Sequence, residues 1–314
     1  MSHPTRRAAL AAVACTLLVP RVVVAQQKLT TITMAGLPED SATPVLFGIS
    51  SGAFRKAGLE VTMQVQRSGP SVASGIAGGA YQIGKVSLNP LIDAHSKGIP
   101  FVIVAPGGMS TKDNPIAGLM VKTDSPIKKA SDLNGKTIAV GALNDIFTLA
   151  MRTWMEKNGG NPSTLKLVEI PISAIGAAIE AGRVDGGSAN EPVLSSALES
   201  GKLHVIARTF DAISPKFMFT AYVALRAWAD ANREAVKQFQ RVVHESALYS
   251  NTHHSATVDD IAKFTGLDPE KVKKMARTQG AVTTEPALIQ PVIDAAAYFH
   301  DIPAKFPAKD LIWT

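Results

Sequence analysis

Short runs of apolar and β-branched residues alternate along the chain with longer segments in which apolar residues recur at helical spacing. The first runs are "LTTITMAG" (29–36), "LEVTMQV" (59–65) and "YQIGKV" (81–86), and helices are predicted over 44–57, from about Ser71 and from about Pro90. Strands and helices in alternation are typical of βαβ units, in which helices cover both faces of a parallel sheet. The pattern therefore predicts an α/β fold with mainly parallel sheets.

The alternation begins again at about residue 116 and predicts a second unit of the same kind. Its strands are "GLMVK", "KTIAVGA", "LKLVEI", "VDGGSA" and "LHVIAR". The segment "KFMFTAYVAL" (216–225) then reads as one more strand, and nearly everything after Ala227 is helical, with Asp268 as an N-cap before Pro269. We therefore expect one lobe over 26–115 with 215–314 and a second over 116–214, joined by a hinge whose two crossings lie near Pro115 and Ser214.

Two segments repeat one order of features with little identity. "AGGAYQIGKVSLNP" (77–90) and "AGRVDGGSANEP" (181–192) each end a helix at Ala-Gly, continue as a strand and break at Asn and Pro before another helix. Ligands of open parallel sheets bind beyond the carboxyl ends of the strands, where helices begin. If two such edges face each other across a cleft, Asn89 and Glu191 are expected to contact one ligand from opposite lobes.

The N-terminus has the pattern of an export signal. Arg6 and Arg7 precede an apolar run over 8–20, and Val23 and Ala25 occupy the −3 and −1 positions of a signal-peptidase site, so cleavage is expected after about residue 25. Arg6 and Arg7 with Leu10 resemble a twin-arginine signal, but Ala9 stands where that motif usually has Phe, so the general secretory route is favoured and the twin-arginine route stays open. The predicted location is the periplasm.

Charge and cysteine content exclude several classes of function. The net charge of +6 falls to +3 once the three arginines of the predicted leader are removed, which is too weak for a nucleic-acid partner. Cys15, the one cysteine, lies inside the leader, so the mature chain has no disulfide and no thiolate nucleophile. Adjacent histidines in "NTHHS" (251–255) point in different directions on a helix, and no metal or cofactor is predicted.

Five segments spread over most of the chain have the order and spacing of a known family. They are "FRKAGLEVT" (54–62), "SGPSVASGIAGGAYQIG" (68–84), "KGIPFVIVAPG" (97–107), "IKKASDLNGKTIAVG" (127–141) and "AAIEAGRVDGGSANEPV" (177–193). Together they resemble the periplasmic solute-binding proteins of ABC importers in the sulfonate, nitrate and taurine group, which also includes binders of the thiamine pyrimidine precursor.

The resemblance implies a type II periplasmic binding protein fold in a monomer that closes on a small ligand and delivers it to a permease with its ATPase. Cleft positions carried over from the family are Ser68, Gly69, the turn of Ser87 to Asn89, Asn144, Asp145 and Glu191. This chain departs from the family at Lys85, where a small residue is more frequent, and in the loop "GLPEDSATP" (36–44), which lacks an aromatic residue.

The charged candidates suggest a mixed site. We expect Glu39, Asp40, Asp145 and Glu191 to face Lys85, with Arg67 as a second candidate cation. Such a set suits an organic ligand with a nitrogen and an acidic or polar group better than an inorganic anion. The candidate ligand-binding residues are Glu39, Asp40, Ser68, Gly69, Lys85, Ser87, Asn89, Asn144, Asp145 and Glu191.

Several alternatives remain open at this stage. Asn89, Asn144 and Asp145 are also suitable helix caps, Glu191 is suited to a solvated first turn, and Lys85 fits an orientation toward solvent. The predicted function is a receptor without catalysis. A periplasmic sensor is one alternative, and a thiamine-pyrimidine-synthesising enzyme of the same fold is a weaker one because its cysteine-rich motif is missing.

Overall fold

The computed structural model describes residues 29–314, so the predicted export signal over 1–25 lies outside the described residues. Two five-stranded sheets and one three-stranded sheet form within this part of the chain. The strands are β1 Thr30–Gly36, β2 Leu59–Val65, β3 Ile83–Ser87, β4 Phe101–Pro106, β5 Gly108–Thr111, β6 Ala117–Lys122, β7 Thr137–Val140, β8 Lys166–Glu169, β9 Gly186–Asn190, β10 Leu203–Ala207, β11 Lys216–Met218, β12 Thr220–Leu225 and β13 Gln279–Gly280.

Helices cover the sheets and follow most of their strands. They are α1 Thr43–Ser50, α2 Ala53–Lys56, α3 Gly69–Ala77, α4 Leu88–Ser96, α5 Ile146–Lys157, α6 Ile175–Glu180, α7 Val193–Leu198, α8 Arg226–Ala231, α9 Arg233–Ser250, α10 Val258–Thr265, α11 Pro269–Lys274 and α12 Gln290–Tyr298. The helix predicted over 44–57 is two helices, because Gly52 between them takes a left-handed φ of 73°. None of the helices in residues 29–314 is both long and apolar enough to cross a membrane.

Each large sheet has four strands in one direction and one reversed strand. The first sheet has the order β2-β1-β3-β12-β4, in which β12 runs antiparallel to both neighbours. The second sheet has the order β10-β6-β9-β7-β8, in which β6 is reversed. The reversed strands are those by which the chain enters each sheet from the other. This arrangement confirms the predicted mainly parallel α/β architecture with two lobes, the first lobe built on the first sheet and the second lobe on the second.

The small sheet, order β11-β5-β13, lies on the connections between the two large sheets. β5 leads from β4 toward β6, and β11 leads from β10 toward β12. The segment predicted as one strand over 216–225 is thus two strands that separate at Phe219, whose N–H donates to the carbonyl of Gly108 at 2.9 Å. A third strand from the C-terminal region, β13, was not expected from the sequence.

The C-terminal helices return to the first lobe. α9 packs against β4 and α1, and its Val236, Phe239 and Val243 are fully buried. Phe239 stacks on Phe54 and makes an edge contact with Tyr222 in the core that covers one face of the first sheet. The Asp268 side chain accepts the N–H of Glu270 at the start of α11, as the sequence predicts.

Candidate ligand-binding cleft

A cavity of about 440 Å³ lies where the carboxyl ends of β1, β2 and β3 face those of β7, β8 and β9. Parallel sheets bind ligands at this edge because helices begin there. The residues that line it are 37–39 after β1, 65–70 after β2, Lys85, Ser87 and Pro90 around the start of α4, 141, 142 and 144–147 before and within α5, 171–173 after β8, Asn190, Pro192 and Val193 after β9, and Phe219 and Thr220 at β12.

Three helices begin at the cavity wall. Ser68 caps α3 by accepting the N–H of Ser71 at 3.4 Å, and Asp145 caps α5 by accepting the N–H of Thr148 at 2.7 Å. Ser87 precedes α4, and its buried hydroxyl has no hydrogen-bond partner within residues 29–314. First-turn N–H groups have no partner inside their helix and carry a partial positive charge, so this wall is suited to an anionic group.

Lys85 lies in the floor of the cavity and is only 1% exposed. Its ammonium donates to Glu39 Oε2 at 2.6 Å and to Ser41 Oγ at 2.7 Å. Gly36 leaves room for its aliphatic stem, because a Cβ at Gly36 would lie 3.1 Å from Lys85 Cβ. Pairing with a carboxylate permits this burial, and the orientation toward solvent is excluded.

Glu39 faces the cavity at the end of β1, and its side chain is 13% exposed. Its Oε2 accepts from Lys85 and, at 3.3 Å, from Ser41. Its Oε1 makes no hydrogen bond to any residue in the described part of the chain. Glu39 therefore keeps one carboxylate oxygen available on the cavity wall.

Asp145 lines the cavity and caps a helix at once. Burial raises the pKa of its carboxyl to about 6, although hydrogen bonds from Thr148 and Ala142 act in the opposite direction. Because both oxygens already accept backbone N–H groups of its own segment, this carboxylate is less available to a ligand than Glu39.

Asn144 connects the two lobes at the edge of the cavity. Its Oδ1 accepts from Asn89 Nδ2 at 2.5 Å, and its Nδ2 donates to Asp93 Oδ2 at 3.0 Å. Asn89 and Asp93 both lie on α4 of the first lobe, whereas Asn144 precedes α5 of the second. Asn144 thus forms a polar contact between the two lobes.

The structure brings seven of the ten predicted residues to the cavity and places three behind its wall. The seven are Glu39, Ser68, Gly69, Lys85, Ser87, Asn144 and Asp145, and the three are Asp40, Asn89 and Glu191. Asn89 is 1% exposed and directs its amide nitrogen at Asn144, so it reaches the site through that residue.

Asp40 and Glu191 use their carboxylates inside the protein. Asp40 is fully buried, pairs with Arg277 Nε at 2.9 Å and accepts the N–H of Thr278. Glu191 accepts from Ser195 Oγ at 2.8 Å and from the Ser195 N–H at 3.1 Å. Burial raises the pKa of Glu191, against the effect of those hydrogen bonds, and the nearby charge of Asp40 adds to the increase. The four acids expected to converge on a ligand therefore reduce to Glu39 and Asp145.

Asn190 is a lining residue that the sequence reasoning missed. It ends β9, is 3% exposed, and its side chain has no hydrogen-bond partner in residues 29–314. It lies at the carboxyl end of the strand, which is the edge of the sheet that borders the cavity. All five residues of β9 are buried, so "GGSANE" carries no alternation of apolar and polar positions that would have identified Asn190.

The lining is balanced in charge and rich in apolar groups. Its charged side chains are Arg67, which is exposed, the Lys85–Glu39 pair, and Asp145. Leu37, Phe147, Ile172, Val193 and Phe219 supply apolar surface. Within residues 29–314, no three His, Cys, Asp or Glu side chains group closely enough to hold a metal ion.

Comparison with known proteins identifies the family. The family model described as "NMT1/THI5 like" matches residues 40–254, which is more than half of the chain. The taurine-binding periplasmic protein of Escherichia coli (strain K12) is 27% identical over 246 residues, covering 77% of this chain and 71% of that protein.

Solved structures agree on the fold. The periplasmic aliphatic sulphonate binding protein SsuA from Escherichia coli gives a TM-score of 0.73 at 19% identity, covering 90% of this chain and 97% of that one. The alkanesulfonate-binding protein SsuA from Xanthomonas axonopodis pv. citri, bound to MOPS, gives 0.75 at 15% identity, covering 91% and 99%. These findings confirm the resemblance inferred from the sequence and the predicted type II fold. The chain therefore belongs to the NMT1/THI5-like family and has the two-lobed fold of the periplasmic solute-binding proteins of ABC importers.

Proposed function

We propose that this protein is a periplasmic receptor that captures a small organic anion, with a sulfonate as the leading candidate, and delivers it to an ABC permease. The observation that supports this most strongly is the cavity between the two sheets, at which α3, α4 and α5 all begin. The N-termini of α3 and α4 in the first lobe would bind an anionic group with their N–H groups, whereas Asp145 already accepts from the first turn of α5. The taurine-binding relative and the MOPS-bound structure are consistent with this ligand class.

The rest of the lining favours an organic body on that anion. A volume of about 440 Å³ falls within the range of roughly 300 to 1,000 Å³ that is usual for small-molecule sites. Apolar surface from both lobes, including Phe147, Ile172 and Phe219, would bury carbon and leave a bare inorganic ion poorly enclosed. The proposed role is binding and not catalysis, in keeping with the taurine-binding and sulphonate-binding proteins that this chain resembles.

The proposed mechanism is closure of two lobes about the small hinge sheet. We place the lobe boundaries at 26–115 with 215–314 and at 116–214, and the protein would work as a monomer after removal of residues 1–25 by the Sec or the twin-arginine route. Ligand that touches both walls would stabilise the closed form, which the permease would recognise. A partner that is a sensor protein in place of the permease is the remaining alternative.

Calorimetric titration of the purified protein tests this function. A panel of short sulfonates, carboxylates, sulfate and nitrate should give binding by organic anions, and mass spectrometry of molecules released on denaturation should identify an organic anion. The variant Gly69→Leu should weaken binding more than tenfold, because a Cβ at Gly69 meets nothing within 4 Å and extends into the cavity space. Ser74→Leu, at an exposed position of the same helix, is the control. Binding of the inorganic ions alone, or equal affinity in Gly69→Leu, would overturn the proposal.

A further inference from the structure

The available oxygen of Glu39 is an acceptor that lies beside several hydrogen-bond donors of the cavity wall. Helix N-termini, the Ser87 hydroxyl and the Lys85 ammonium can all donate to an anion. An ionised carboxylate can only accept hydrogen bonds, so Glu39 Oε1 cannot bind an anionic group and repels it. A group that donates hydrogen bonds, and above all a cation, fits this oxygen.

Glu39 is held in place from both sides. Lys85 and Ser41 bind its Oε2, and the neighbouring Asp40 is anchored by the buried guanidinium of Arg277. Arg277 in turn donates to Thr257 Oγ1 at 2.9 Å and to the carbonyl of His254 at 3.0 Å. The loop after β1 is thus fixed by the C-terminal region, and the direction of Glu39 Oε1 is set before any ligand enters. Such preorganisation reduces the entropy lost on binding.

Charge balance around the cavity argues for a ligand without net charge. The ammonium of Lys85 offsets the carboxylate of Glu39, and both groups are largely removed from water. A simple anion would add an unbalanced charge beside this pair, which is costly where water is excluded. A zwitterionic ligand carries one positive and one negative charge and adds no net charge to the cavity.

The spacing of the strands sets the distance between the two charges of such a ligand. Glu39 follows β1, and the helices on either side of it, α3 and α4, follow β2 and β3, which are the direct neighbours of β1 in the sheet. Adjacent strands lie about 4.8 Å apart. A ligand whose cationic and anionic groups are separated by a short carbon chain can therefore reach the Glu39 carboxylate and a neighbouring helix N-terminus at the same time. Building on the proposed function, we propose that Glu39 binds a cationic nitrogen of the ligand, which makes the receptor selective for short zwitterions over simple organic anions, with Lys85 and Ser41 as positioning residues.

Two pairs of probe molecules that differ only in an amino group test this assignment by calorimetry. The pairs are taurine with ethanesulfonate and β-alanine with propionate. Within each pair the anionic group is the same, and only the first member has an amino group. The wild-type protein should bind the amino member of at least one pair roughly tenfold or more tightly than its partner, as expected for a charge-assisted hydrogen bond. Equal or reversed affinities, or no binding of any of the four, would overturn the role of Glu39, whereas the proposed function would fail only if the wider panel also gave no organic anion.

The variant Glu39→Gln keeps the shape of the side chain and removes its charge. It should lose the preference for the amino member while still binding the simple anion, and Glu60→Gln, at an acid on β2 that pairs with Arg55, should keep the preference. Melting by circular dichroism checks that each variant is folded. If Glu39→Gln does not fold because Lys85 has lost its counter-ion, the double variant Glu39→Gln with Lys85→Gln removes both charges and should show the same loss. A preference that survives in a folded variant without the Glu39 charge contradicts the assignment.

Discussion

At the scale of single residues, neighbours in the sequence have different roles at the end of β9. Asn190 lies in the cavity wall with an amide that has no hydrogen-bond partner within residues 29–314, whereas Glu191 turns to Ser195 at the start of α7. The paired segments that ended at Asn89 and Glu191 do occupy corresponding positions in the two lobes. The residues that reach the cavity from them, however, are Ser87 and Asn190.

This difference predicts the result of two adjacent substitutions. Asn190→Ala should weaken ligand binding about tenfold, because a hydrogen bond to a charged group is worth roughly 1.5 to 3 kcal/mol. Glu191→Gln should change affinity by less than about threefold, since its side chain bonds within its own helix start. Calorimetry with the tightest-binding ligand of the panel measures both affinities. A larger loss of affinity in Glu191→Gln than in Asn190→Ala would show that Glu191, and not Asn190, contacts the ligand.

At the scale of elements, the helices that build the site depend on caps that also line the cavity. Asp145 satisfies the N-terminus of α5 and is 8% exposed, and burial raises the pKa of its carboxyl from 3.8 to about 6. The folded state therefore binds this proton more tightly than the unfolded state does. By linkage, the contribution of this group to stability is largest below about pH 4, falls as the pH rises toward 6, and is constant above that.

The variant Asp145→Asn should remove this pH dependence while keeping a capping oxygen for Thr148. The free energy of unfolding of the wild type minus that of the variant should decrease between about pH 4 and 6 and level off by pH 7. Urea denaturation at a series of pH values measures it, with Asp268→Asn at the exposed start of α11 as the matched control for replacing a capping carboxylate. A difference that rises with pH over this interval would show that the carboxyl pKa is lowered on folding.

At the scale of the whole molecule, two lobes meet through the small sheet, through an apolar cluster in which α5 packs against α4 and α12, and through polar contacts at the edges of the cleft. Asn144 contacts α4 on one side, and Lys271 of α11 pairs with Glu199 at the end of α7 at 2.6 Å. Both Lys271 and Glu199 are well exposed, and exposed ion pairs contribute only about 0 to 1 kcal/mol. This ion pair therefore adds little to the contact between the lobes, and we expect a ligand that touches both walls to add to the apolar contacts between α5 and the first lobe.

Ligand should accordingly make the particle more compact and more stable. Small-angle scattering should give a smaller radius of gyration with the ligand than without it, because hinge closure brings the lobes together. At a hundredfold excess over Kd, the bound ligand should stabilise the folded state by about 2.7 kcal/mol. An unchanged radius with binding verified by calorimetry would contradict hinge closure.

The sequence by itself determined the features that depend on near neighbours. Strand and helix periodicity predicted the α/β architecture, and the residue pattern at Asp145 and Asp268 marked the starts of α5 and α11. Capping and periodicity act within about four residues, so they are visible in a linear pattern. The order of segments also predicted the family, because it reflects the whole fold.

Only the tertiary structure decided which polar side chains meet in the cavity. Asp40 and Arg277 are separated by 237 positions, yet their pairing fixes the loop that carries Glu39. Lys85 was ambiguous in sequence, and its burial beside Glu39 depends on the packing of β1 against β3 and on the space left by Gly36. Such contacts follow from how sheets and helices pack. A local sequence pattern does not carry that information, because a shift of one residue moves a side chain from the cavity to the interior.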